Sequence, residues 1–105
     1  MKIEWLQPWA PIDRPEEREA IQTELYSELG ASHSLFGLSV VALARRYDQD
    51  DVLLELSDSR VAEVHLTWSG KPERDPRWPR TTIFLSVAVW VEEKMKPLHE
   101  ETGPF

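Results

Sequence analysis

Apolar residues recur every four positions at Ile21, Leu25 and Leu29, and Tyr26 widens the stripe, so the spacing predicts an amphipathic helix over residues 15–29. Asp13 followed three residues later by Glu16 reads as a capping-box variant. Pro15 falls in the first turn, where its missing N–H costs little. Glu16, Glu17 and Glu19 complement the positive end of the helix dipole, and Gly30 is expected to stop the helix as its C′ residue.

Three β-like runs follow a short linker, Ala31 to Ser34. Residues 38–46 are almost continuously apolar, as a central strand is. Residues 52–57 and 61–68 alternate more cleanly, and turn formers separate all three runs. Facing residues must share a face, so the expected register pairs Leu56 with Ala62, Leu54 with Val64 and Val52 with Leu66, with Trp68 continuing that face. This sets Glu55 against Glu63 and leaves Leu53, His65 and Thr67 on the opposite face. With Val41 and Leu43 added, that second face is too apolar for pure solvent surface. Either the Trp5–Trp9 segment covers it or a partner does.

The ends of the chain read differently. Pro8, Pro11 and Pro15 keep the first twelve residues extended, with a short strand expected at Lys2–Leu6. Residues 69–81 hold three prolines and read as a long irregular connection, of the kind that carries function or moves. From Thr81 the composition is β-rich, yet Phe84, Val87, Ala88, Val91 and Met95 also fit a helical stripe. The preferred division is a strand at 82–85 with Ser86 as N-cap of a helix to about Lys96. Pro97 then opens a polar tail, 97–105, expected to be flexible.

Composition narrows the classes. The 105 residues hold no cysteine, which removes disulfides, thiolate nucleophiles and cysteine-bound zinc. That length suits one domain spanning 1–105. There is no long apolar run, so neither a signal peptide nor a membrane span is expected, and the setting reads as cytoplasmic. Twelve basic against nineteen acidic side chains give a net charge of −7, which opposes nucleic-acid binding. Residues 1–30 carry seven acids and three bases, so the acidity is concentrated in the first third.

Candidate chemistry is sparse. His33, His65 and His99 form no metal-ligand spacing, and no metal or cofactor is expected, although His33 and His65 could meet near Asp50 or Asp51. No nucleophile elbow and no phosphate-binding glycine loop is present, and the Asp48–Asp51 run lacks the glycine and glutamate of a calcium loop. Trp78, flanked by Arg77 and Arg80, is either a binding anchor or a pin that fastens the long loop to the body.

Asp50-Asp51-Val52-Leu53, then Ala62-Glu63-Val64-His65-Leu66-Thr67-Trp68, then Glu73 and Pro79 resemble a recurring pattern of small uncharacterised bacterial proteins, over roughly His33 to Met95. The resemblance implies a shared fold and a cytosolic setting but no catalytic residue, and it draws attention to His65, Thr67 and Glu73. The expected fold is α+β: an N-terminal helix, an antiparallel meander of three or four strands, and a C-terminal helix packed on one face. The residues favour a protein-binding module over an enzyme, an immunity- or antitoxin-like inhibitor of a basic partner, or one that self-associates through the open sheet face. The alternative is a small enzyme or ligand-binding protein using His65, Thr67 and Glu73 beneath the 69–81 loop. Candidate binding residues are His33, His65, Thr67, Glu73, Arg74, Trp78 and Arg80.

Overall fold

A computed structural model describes residues 3–102, the side chain of Thr102 excepted. Five antiparallel strands form one sheet in sequence order: β1 (Trp9–Pro11), β2 (Val40–Arg46), β3 (Asp51–Leu56), β4 (Val61–His65) and β5 (Arg80–Phe84). Helix α1 (Pro15–Glu28) packs on one face. The other face carries a C-terminal helix made of α2 (Val87–Trp90), a π-helical turn (Val91–Met95) and α3 (Lys96–Thr102). The class is α+β, with one or two more strands than expected, because Trp9–Pro11 adds a strand along Ala44–Arg46.

The α1 face is aliphatic. Ile21, Leu25 and Leu29 bury the predicted stripe against Val40, Ala42, Val52, Leu54, Ala62 and Val64. Each such burial is worth roughly 1.5–3 kcal/mol before entropic costs. Both helix ends differ from expectation. Pro15 forces the residue before it out of the helical region, so Arg14 (φ −96°, ψ 126°) is the N-cap, and Asp13 makes no cap hydrogen bond. At the other end Gly30 is not left-handed. Its role is space, since a Cβ there would lie 2.7 Å from the main-chain oxygen of Glu73.

The sheet keeps the predicted faces but shifts the β3–β4 pairing by two residues. Leu54 opposes Ala62 and Val52 opposes Val64, while Leu53, not Glu55, opposes Glu63. The shift separates the two glutamates. It also closes the hairpin over Ser57–Ser59, where Ser59 is left-handed (φ 73°) and Asp58 accepts the Arg60 N–H at 3.1 Å. Strand β4 ends at His65. Trp68, expected on the core face, is instead 47% exposed and left-handed (φ 58°), because the chain turns there towards α1.

The second face is covered over its middle, while Val41 at its far end stays 48% exposed. A bulge in β2, where Ala42 opposes Leu54 but Ala44 opposes Leu53, turns Leu43 and Ala44 towards that face. Trp9 and Trp90 are buried over it edge to face, with ring centroids 4.9 Å apart, and Trp5 lies 6.1 Å from Trp90. The chain's own indoles therefore cover the middle of the surface expected to serve self-association and leave Val41 outside the cover. Residues 3–6 form no strand, and Lys2 lies outside the described residues.

Ser86 caps the C-terminal helix as expected, its hydroxyl accepting the Val89 N–H at 3.2 Å. The chain beyond Pro97, expected as a tail, stays helical to Thr102. Proline lacks an N–H and its ring crowds the carbonyl four residues back. The π-helical turn just before it, with the Lys96 N–H reaching the Val91 oxygen, accommodates that defect. Among the described residues no helix is long and apolar enough to cross a membrane.

Candidate functional site

The indole cover stops short of one end of the second face, and the side chains there are polar. The register sets Asp51 at the start of β3 opposite His65 at the end of β4, and His65 opposite Arg80 at the start of β5. The next row holds Glu63 and Thr82. Arg46 at the end of β2, Lys94 from the π-helical turn and Trp78 from the loop before β5 close the walls. The result is a cleft of about 470 Å³.

Asp51 organises the floor. Its side chain is only 8% exposed and accepts a hydrogen bond from His65 Nδ1 at 2.6 Å and another from Gln49 Nε2, with Arg46 Nη1 at 3.7 Å. A proton held on Nδ1 by the carboxylate leaves Nε2 of the neutral ring as the acceptor nitrogen. Arg46 is itself clamped by Asp48 through contacts of 2.7 and 2.9 Å. That bidentate bond holds the Asp48 carboxyl below its usual range and pushes the Arg46 guanidinium up.

Two cations of the cleft are uncommitted. Among the described residues, neither Arg80 nor Lys94 has a carboxylate within ion-pair distance. Arg80 lies over the Trp78 ring, 5.3 Å from its centroid, a contact that presets the plane of the guanidinium. Glu63 supplies an acceptor at the back of the cleft, and its Oε1 accepts the indole N–H of buried Trp90 at 2.8 Å.

The structure divides the residues singled out by sequence. His65, Trp78 and Arg80 line the cleft together. Thr67 and Glu73 bond to one another at 2.8 Å beside the end of α1 and do not join them. Arg74 is exposed and makes no hydrogen bond or ion pair among the described residues. His33 is buried and does not meet His65. Its Nδ1 accepts the Leu35 N–H at 3.0 Å, so Nε2 carries the proton and donates to the Pro79 oxygen at 2.9 Å. His33 thus fixes the backbone between Trp78 and Arg80, a positioning role. Sequence reasoning singled out neither Arg46 nor Lys94 for the site. The signal for Lys94 lies only in the packing of the C-terminal helix.

No group of three or more histidine and carboxylate side chains among the described residues can hold a metal ion. A larger hollow, about 610 Å³, lies between Ile3–Leu6 and the C-terminal helix. Its apolar lining of Ile3, Leu6, Ala88 and Val91 is mixed with Glu4, Glu92 and Glu100, and its Lys96 is already paired with Glu92 at 2.9 Å. The chain matches no protein-family model, no curated protein and no solved structure.

Proposed function

We propose that the protein binds a small anionic ligand in the cleft, with Arg80 and Lys94 as its charge partners and His65 Nε2 and Glu63 as hydrogen-bonding groups for the ligand's neutral part. The observation that carries this reading is the pair of cations, neither with a carboxylate partner among the described residues, facing one concave site in a chain of net charge −7. A cation held against an indole face and a second on a helix are ready to receive an oxyanion with little reorganisation. The volume suits a ligand the size of a phosphorylated or carboxylated metabolite.

The acids of the first third are divided between the fold and the surface. Glu17 is paired with Arg45 at 3.2 Å, while Glu24 and Glu28 accept loop N–H groups. Three of the seven acids of the first third are thereby engaged, while Glu4, Asp13, Glu16 and Glu19 stay exposed.

The test is calorimetric titration with sulfate, inorganic phosphate and citrate at low ionic strength. Binding is expected in the wild type, weakened at least tenfold in Arg80→Ala and in Lys94→Ala and unchanged in Lys71→Ala, whose side chain lies in the loop outside the cleft. Equal affinity in all four proteins, or no binding of any of these anions, contradicts the proposal.

A further inference from the structure

Glu28 is the most unusual group in the molecule. It sits in the last turn of α1, at the negative end of the helix dipole, and is fully buried. A buried carboxylate ordinarily demands a cation, yet among the described residues none lies within ion-pair distance. Its partners are backbone N–H groups of the segment leaving β4. Oε1 accepts from Thr67 at 2.9 Å and Oε2 from Trp68 at 2.8 Å.

The titratable groups that face it are acids. Glu24, one helical turn earlier, accepts the Gly70 N–H at 3.0 Å. Glu73 from the loop accepts the Thr67 hydroxyl, and its own N–H donates to the Glu28 main-chain oxygen at 3.0 Å. His33, whose N–H bonds the Gly30 oxygen, has its imidazole committed to Leu35 and Pro79. The absence of a side chain at Gly30 lets the Glu73 backbone lie flat on the helix end. Residues 67–73 are thereby strapped to α1 by the Glu28 and Glu24 carboxylates and by one main-chain bond from the Glu73 N–H to the Glu28 oxygen, while Leu66 just before them is buried in the core.

We propose that Glu28 is a proton-operated clasp: protonated, it holds the 67–73 strap against α1, and ionised, it lets that strap lift. Burial first, and the adjoining Glu24 second, push its carboxyl up to about 7, with the Thr67 and Trp68 N–H groups pulling the other way. A lifted strap admits water and returns the carboxyl towards its ordinary value of 4.5. The clasped form therefore binds the proton more tightly than the lifted one, and rising pH favours lifting. The difference limits the change in the clasped-to-lifted ratio to about 300-fold between pH 4 and pH 9. The clasp does not rest on the anion-binding reading.

The experiment is a pH titration from 5 to 9 of the Thr67, Trp68 and Gly70 amide resonances in the full chain. All three are expected to titrate together with a midpoint near 7 and to lose protection from hydrogen exchange above it, beyond the intrinsic base catalysis. Glu28→Gln is expected to abolish the titration. Glu24→Gln, which leaves Glu28 in place and removes its acidic neighbour, is expected to lower the midpoint and keeps the test open if Glu28→Gln does not fold. Amides that do not titrate, or that titrate alike in wild type and in either variant, overturn the proposal. Sulfate affinity measured at pH 6 separates the two ideas, since its loss in Arg80→Ala reports on the ligand site whether or not the amides move.

Discussion

The two faces of the sheet are covered by different chemistry, and the difference locates the site. Towards α1 the interface is packed with Ile, Leu, Val and Ala from strands β2 to β4, and Ile83 of β5 at its edge stays exposed. On the other face three indoles and the C-terminal helix cover the middle, and the cover gives way to Asp51, Glu63, His65 and Arg80 at one end. Large flat rings span a twisted surface with few residues, and their N–H groups need partners. Trp90 meets that need with Glu63, so the packing residue of this face is bonded to a wall of the cleft.

Removing one buried anchor from each face separates the two covers. Trp90→Ala deletes a fully buried ring and leaves Glu63 without its donor, so chemical denaturation is expected to show a loss of about 3–5 kcal/mol together with weakened sulfate binding. Leu25→Ala, equally buried on the aliphatic face, is expected to cost about 2–5 kcal/mol while leaving sulfate affinity unchanged. Similar loss of affinity in both variants would mean the two faces are not functionally distinct.

The pH dependence of stability sharpens the contrast at the end of α1. Glu28 has a folded pKa of about 7 against 4.5 for the free group, so its favourable contribution is full below pH 4.5 and is lost as pH rises through 7. The magnitude is of order 3 kcal/mol. Denaturant midpoints are expected to fall between pH 5 and 8 in the wild type and to flatten in Glu28→Gln. A smaller effect is expected from Gly30→Ala. Its new methyl group meets the Glu73 carbonyl, and a cost of about 1–3 kcal/mol with loss of protection at the Glu73 amide would confirm the close approach.

What was legible in the chain follows from which signals are local. The Ile21–Leu25–Leu29 stripe, the alternation in β3 and β4 and the Ser86 cap each depend on residues within two turns or one hairpin, and each formed. The register slipped by two because parity alone cannot distinguish pairings two residues apart; the three-residue turn with left-handed Ser59 decides it. Trp68 left the core face because a distant acceptor, Glu28, takes its N–H and turns the chain. Glu28 itself carried a readable sign, for it stands seven residues after Ile21 on the apolar stripe. The cleft did not, since it needs the ends of four strands and a helix at once.

Isotope-edited shift mapping of the wild-type protein with sulfate is the most direct test of the central claim. Saturable shifts are expected, confined to the His65 imidazole, the Arg80 side chain, the Trp78 indole and the Lys94 amide and lost together in Arg80→Ala. Shifts that fail to saturate, or that centre on the outer face of α1, contradict it.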